Sequence, residues 1–295
     1  MRRHPVILGF CILLFIGVVF FALVFALGLL KGDGRSLHLR AKVGVVRIEG
    51  ILIDSFDIID QIDEFADDDG IRAVVLRINS PGGGVAASQE IYQSVRELRK
   101  RKKVVASMGA VAASGGYLIA TAADRIVANP GTITGSISAV MQFADIQELM
   151  RKVGVRSSVV KSGKFKDIGS PVREMTVEEK QLIQGIVDDI YDQFTQTISE
   201  NRKIPLGAIL NLADGRIFSG RQALTVKLVD ELGGLQDAVF LAGRLAGMEG
   251  KPAIVYAAKK KTSLWKYLME SAVSALSGKI HDSIAESRGA QYLLQ

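Results

Sequence analysis

The run Val104-Val105-Ala106-Ser107, followed by Gly109-Ala110-Val111-Ala112-Ala113-Ser114-Gly115-Gly116-Tyr117, passes from β-branched to small residues. It then opens into the helical pattern Leu118, Ile119, Ala122 and Ala123. A strand that yields at glycine to a helix leaves the helix's first N–H groups without intrahelical acceptors, at its positive end. A serine there has the surroundings of a nucleophile whose developing oxyanion needs donors. The same serine also suits an N-cap, and small residues also suit close packing. The stretch alone leaves both readings open.

A second stretch repeats the pattern upstream. Arg72–Asn79 reads as a buried strand that breaks into Ser80-Pro81-Gly82-Gly83-Gly84, then a helix with Val85, Ile91, Val95 and Leu98 on its apolar side. Consecutive glycines let backbone approach a ligand and turn N–H groups toward it, which would supply a second oxyanion donor. A Walker loop is excluded because no Gly-Lys-Ser/Thr follows, and the spacing does not fit a dinucleotide fingerprint. An ordinary tight turn is the bland alternative. Strand and helix alternate through Leu98, Val104 and Ala123, which argues βαβ units on a mainly parallel sheet.

A base for such a serine is sought next. The three histidines are His4, before an apolar segment, His38, in the linker after it, and His281, in the tail, so a Ser-His-Asp triad in the α/β body is disfavoured by inventory. The single cysteine, Cys11, lies inside the apolar segment and builds neither a zinc site nor a cysteine-protease centre. What remains is lysine, which acts as a base only where burial disfavours its charged form. Lys161-Ser162-Gly163-Lys164-Phe165-Lys166-Asp167 offers two, and if extended it puts Lys164 and Lys166 on one face, so pattern does not choose between them.

Ser80-Pro81-Gly82-Gly83, the Ala113–Tyr117 segment and Lys164-Phe165-Lys166 together resemble the bacterial signal peptide peptidases of the Ser/Lys type, the protease IV family within the Clp/crotonase superfamily. The resemblance runs from about Lys42 to about Gly250 and includes Asp124–Ala128 and Ala213-Asp214-Gly215-Arg216. It implies an α/β fold built as a repeated ββα/βαβ spiral. It also implies Ser114 as nucleophile, Lys166 as general base, oxyanion donors on the backbone of Gly83 and Gly115, and Ser136 within reach of the lysine amine. Lys164 is the rival base. No metal, nucleotide or other cofactor is implied. Two positions depart from the family pattern: Ala110-Val111 where Asn-Thr is common, and Ser138 where glycine is common. Both bear on the substrate groove and neither on the dyad. The implied activity is that of a membrane-anchored serine endopeptidase degrading cleaved signal peptides and other apolar peptides, as a homo-oligomer. The alternatives are a related membrane protease acting on one membrane-protein partner, an acyl-CoA-binding crotonase-type protein, and a catalytically silent scaffold.

The chain's ends point to a membrane. Val6–Leu30 is an uncharged apolar run long enough to span a bilayer, and it helps raise the mean hydropathy to +0.24. Arg2 and Arg3 precede it, which puts the N-terminus in the cytoplasm and the body outside, at a bacterial inner membrane; Lys31 and Arg35 oppose this and Asp33 partly balances them. The length favours an uncleaved anchor over a signal peptide. The expected organisation is an anchor over 1–31, a tether over 32–41, the peptidase over 42–256 and a basic tail over 257–295. In that tail Lys259–Lys261 leads into Leu264, Trp265, Leu268, Leu276, Ile280 and Ile284 at helical spacing, which suits a membrane surface or a subunit contact. The net charge of +6 has no aromatic-interleaved basic patch to suggest nucleic acid, so anionic lipid is the better partner. One cysteine forms no intramolecular disulfide.

Within the body, Val43–Ile48 reads as the first strand. The helix carrying Phe56, Ile58, Ile59, Ile62 and Phe65 sets Asp54, Asp57, Asp60 and Asp63 on a solvated face, with a metal site as the sharper alternative. Further strands are expected over 126–128 and 137–143, a helix over 145–153 and an extended segment over 155–161. Thr176 and Glu179 form a capping box opening a long helix whose stripe, Leu182 to Ile198, reads as core or subunit interface. Shorter helices follow Pro205, over 220–227, and near Gly234. Asp214 and Arg216 read as a structural ion pair.

Overall fold

The computed structural model describes residues 14–23 and 41–257. The chain divides into two compact units, residues 1–41 and 42–295. In the first, residues 14–23 are helical with Leu14, Phe15, Phe20 and Phe21 exposed. Among the described residues no helix is long and apolar enough to cross a membrane. The rest of the expected anchor and the striped tail lie outside the described residues.

The second unit is a layered α/β body. Its elements are Lys42–Leu52 (β1), Phe56–Asp67 (α1), Ile71–Gly83 (β2), Val85–Arg101 (α2), Lys103–Ala113 (β3), Gly115–Thr121 (α3), Arg125–Ala128 (β4) and Ile133–Gly135 (β5). Gln147–Lys152 (α4), Val177–Arg202 (α5), Leu206–Leu210 (α6), Ile217–Ser219 (β6), Gly220–Thr225 (α7), Glu231–Leu232 (β7), Leu235–Leu245 (α8) and Ala253–Tyr256 (β8) complete it. The sheet runs β6-β5-β3-β2-β1-β8, with β4 joining β3 to β7. Its pairings are parallel except β5 with β6. This mixed sheet agrees with the expected Clp-like class.

Both faces are covered, so the strands read as continuous apolar runs and not as alternations. Val43, Val45, Ala73, Val75, Val105 and Val127 pack on Ala238, Val239, Leu241 and Ala242 of α8. Val46, Ile48, Val74, Leu76, Ile78, Ala106 and Met108 pack the other way, onto Ile62 and Phe65 of α1, Ile91 and Val95 of α2, and Tyr117 and Ile119 of α3. At Gly44 α1 lies directly against the sheet: a Cβ there would stand 2.5 Å from the Phe65 ring.

Three strand expectations need correction. β2 does not break at Ser80; after a register shift it runs through Pro81 to pair Gly82 with Ile51 and Gly83 with Leu52. β3 does not stop at Gly109 but continues to Ala113, because its two halves have different neighbours: Val105–Met108 pair with β4 and Val111–Ala113 with β5. Residues 137–143 form no strand. Ser136 takes a φ of 50° and the chain leaves the sheet there, so Ile137 is buried while Val140 is 86% exposed. The helix expected over 145–153 is confined to α4, and 155–161 has no regular structure. Asp54, Asp57, Asp60 and Asp63 are exposed, as a solvated face requires.

The short α3 is held from behind. Tyr117 is fully buried and its hydroxyl donates to the Leu228 carbonyl at 2.9 Å. The variant Tyr117→Phe removes that donor and leaves a buried acceptor short, so it is expected to cost about 1–2 kcal/mol. A urea midpoint equal to that of the wild type would refute this anchoring.

Candidate active site

The turn between β3 and α3 carries the serine singled out from the sequence. Ser114 has φ 52° and ψ −122°, a sparsely populated conformation for a residue with a Cβ, worth about 1–3 kcal/mol of strain. Its backbone N–H donates to the Gly135 carbonyl at 2.9 Å, and its own carbonyl accepts from Leu118 N–H at 3.0 Å. Its side chain makes no capping hydrogen bond, which removes the bland reading of this serine as a helix cap. The strained strand–turn–helix connection resembles the turns that present nucleophilic serines in hydrolases.

Glycines bring β2 against this turn. A Cβ on Gly82, whose φ is +98°, would meet Gly115 N at 2.8 Å and Ser114 Cβ at 2.9 Å. On Gly115 it would meet Ser88 Oγ at 2.2 Å, and on Gly116 the Ser80 carbonyl at 2.9 Å. Ser80 is tied down in turn: its Oγ donates to the Gly50 carbonyl at 2.6 Å and accepts from Gly82 N–H at 3.1 Å. Gly83, Ser114 and Gly115 thus come to one place, the edge of a cavity of about 560 Å³. Gly115 is the first residue of α3, where helix geometry leaves the N–H without an intrahelical acceptor.

The cavity lies between α2 and the second half of α5. Val85, Tyr92, Leu118, Val140, Ile190 and Phe194 give it apolar walls, and Ser138 also lines it, so this departure from the family pattern does face the groove. Ala110 and Val111 do not line it. The contribution of α5 was not visible in the sequence, where its stripe reads as core or interface. Phe194 and Ile198 are buried while Leu182 and Ile186 stay exposed, so the stripe changes role along its length.

The lysines lie elsewhere. Residues 164–169 form successive turns, not an extended segment, so Lys164 and Lys166 do not alternate as a strand would place them. Lys164 is engaged in an ion pair with Glu178 and lies over the Phe165 ring. Lys166 is exposed, and its amine has no hydrogen-bond or ion-pair partner among the described residues. It is not among the residues lining the cavity at Ser114. Ser136 sits one residue from Gly135, the acceptor of Ser114 N–H, and its own N–H donates to the Arg216 carbonyl at 2.8 Å. The single chain therefore gathers Gly83, Ser114 and Gly115 on one cavity, with Ser136 next in the chain to Gly135, and Lys166 does not line that cavity.

Comparison with known proteins accords with this geometry. Residues 96–249 match the model of peptidase family S49, and residues 54–134 match that of the Clp proteases. The chain belongs to peptidase family S49. It is 46% identical to a putative protease of Synechocystis over 177 residues, 60% of this chain and 64% of that protein. It is 38% identical to a putative protease of Methanocaldococcus jannaschii over 207 residues, 70% of this chain and 67% of that one. A putative signal peptide peptidase of Enterococcus faecium is 36% identical over 180 residues, 61% of this chain and 52% of that protein. The chain thus spans about half to two thirds of the length of these S49 relatives. The Clp-type match covers both the Gly82-Gly83 approach and the Ser114 turn.

Around the lysine turn of this S49 chain, hydrogen bonds from Arg173 and then the Thr176 N–H hold the Glu179 carboxyl at about 2, below its ordinary 4.5. Arg173, then Lys161, holds Asp167 well below the usual carboxylate range. Asp214 is likewise lowered to about 2 by Arg216, the structural pair expected from the sequence. A carboxyl whose folded value is depressed lends stability above its unfolded value and loses it as pH falls through the folded one. The stability difference between wild type and Glu179→Gln should therefore be full above about pH 4.5 and shrink toward zero as pH falls through about 2. Thermal melts across that range check it; a constant difference would contradict it.

Proposed function

We propose that the chain is a membrane-anchored serine endopeptidase of the Ser/Lys type, cutting apolar peptides such as cleaved signal-peptide remnants on the outer side of the bacterial inner membrane. The observation that carries the reading is the strained Ser114, with no capping bond, lining a cavity beside Gly83 and Gly115 whose walls mix apolar side chains with Gln89, Gln193 and Glu200. Ser114 Oγ attacks the peptide carbonyl carbon as its proton passes to the neutral Lys166 amine. The N–H groups of Gly83 and Gly115 receive the oxyanion, a role worth about 3 kcal/mol per donor. The C–N bond then breaks, the lysine proton goes to the leaving amine, and water releases the acyl group with the same lysine as base. Ser136 orients the amine.

Lys166 has this role in preference to Lys164 because Lys164 is already paired with Glu178. The two dyad members belong to different copies in this reading. The capping box ties Lys166's turn to the start of α5 at Thr176, while the cavity begins on that helix at Ile190, about 21 Å further along it. An exposed lysine also needs an apposed surface to disfavour its charge. Val140, Val153 and Val160, exposed on the connection around the turn, are apolar surface for a second copy to cover. The apolar part of the cavity wall, Val85, Leu118, Val140, Ile190 and Phe194, and the name of the Enterococcus faecium relative support the substrate class; the run Val6–Leu30 supports the anchor.

Ser114→Ala and Lys166→Ala should each lower peptidase activity at least about 10³-fold, with the double variant no worse than either, as for residues acting as one unit. Mixing the two inactive single variants before assembly should restore activity. A mixture that stays inactive, with assembly intact, places both residues in one chain. Full activity of Lys166→Ala with loss in Lys164→Ala would reverse the choice of base.

A further inference from the structure

The turn that presents Lys166 is tied to α5 by the Lys164–Glu178 ion pair and, with more bonds, by Arg173. Arg173 Nε donates to Asp167 Oδ2 at 2.8 Å, and Nη2 to Asp167 Oδ1 at 2.9 Å and to the Asp167 carbonyl at 3.2 Å. On its other edge Nη1 donates to Glu179 Oε2 at 2.8 Å and Nη2 to Glu179 Oε1 at 2.5 Å. Nη1 also reaches the Glu174 carbonyl at 3.1 Å. A planar guanidinium that engages two carboxylates by its two edges fixes their separation and orientation, which a lysine in its place would not.

Both carboxylates are anchored in turn. Glu179 Oε2 accepts from Thr176 N–H at 2.9 Å, so one side of the clamp is the capping box of α5 itself. Asp167, the residue after Lys166, also pairs with Lys161, whose amine donates to the Lys164 carbonyl at 2.8 Å. The turn is closed by backbone bonds from Lys166 N to Gly163 O, Ile168 N to Phe165 O and Ser170 N to Asp167 O, each 3.1 Å. The side chains of Glu179 and Asp167 are 4% and 13% exposed, so solvent screens this network weakly. The turn's backbone and its charged residues Lys161, Lys164 and Asp167 are thus held, while the Lys166 amine has no hydrogen-bond or ion-pair partner among the described residues.

We propose that Arg173, bridging Asp167 and Glu179, is the positioning residue that holds the backbone turn carrying Lys166 at a fixed place beside the N-terminus of α5, so that the lysine starts from a defined position. This rests on Lys166 being the general base. A base displaced by an ångström loses rate while leaving substrate binding intact, so the clamp acts on kcat and not on KM.

Steady-state cleavage of a peptide by the assembled full-length protein in detergent tests it. Arg173→Met should lower kcat at least tenfold with KM within twofold, and Arg173→Lys should recover part of the loss. Asp167→Asn, which weakens only the lysine side of the clamp and leaves the capping box in place, should show the same kcat-specific loss per folded and assembled protein, although the lost ion pairs with Arg173 and Lys161 lower its melting temperature. Wild-type kcat in Arg173→Met or Asp167→Asn overturns the proposal. So does a loss of activity that merely tracks the folded or assembled fraction in both. Lys166→Ala separates the two layers: if it is inactive while Asp167→Asn is fully active, the clamp alone fails, and if it is active, the choice of base has failed and the clamp with it.

Discussion

The approach of β2 to the β3–α3 turn is the constraint on which the site depends. Ser80 pairs with Ala112, and beyond it the two segments come so close that there is no room for a side chain on their glycines. Gly82, Gly115 and Gly116 each face an atom within 3 Å of where a Cβ would stand. With side chains excluded at these glycines, Gly83, Ser114 and Gly115 meet on one cavity lining. The strain at Ser114 persists because its neighbours over-determine it: Gly135 holds its N–H, Leu118 its carbonyl, and Tyr117 secures the helix behind it through Leu228.

The long α5 imposes the second constraint. Its C-terminal end is fixed to the sheet, since Arg202 forms a bidentate pair with Asp230 Oδ1 and Oδ2 at 2.9 and 3.1 Å, and Asp230 in turn accepts from Ile126 N–H. Its N-terminal end carries the capping box and the Arg173 clamp. One rigid rod therefore lines the serine's cavity at one end and bears the lysine turn at the other. The exposed Leu182 and Ile186 lie on the stretch between.

Local signals made much of this legible. The capping box Thr176/Glu179 forms with both of its bonds, and the glycine runs at 82–84 and 115–116 do mark the close approach. Strand ends were less legible, because Gly82 and Gly109 look like stops in the sequence while partner strands carry the ladder past them. Residues 137–143 are apolar enough for a strand, yet the positive φ of Ser136 turns the chain out of the sheet. The contribution of α5 to the cavity has no sequence signature, since an apolar helix stripe looks the same against a core as against a groove. Arg173 carries no sequence signal for a related reason: its partners stand six residues to either side, and only the folded turn brings both to one guanidinium.

Under the proposed assignment, the separation of Ser114 from Lys166 has an energetic logic. A lysine buried beside the serine in the single chain would carry a desolvation cost there, whether or not substrate or a neighbour were present. An exposed lysine on a pinned turn carries none. The cost then falls at assembly, where burial of apolar side chains such as Val140 and Val160 can offset it. Pinning matters because the amine must enter a second copy's site at a defined place, within reach of Ser114 and Ser136. A flexible turn would have to be ordered at that moment as well, at about 1–2 kcal/mol per residue. The ion pairs around Asp167 do that ordering beforehand, in the part of the chain that carries the base.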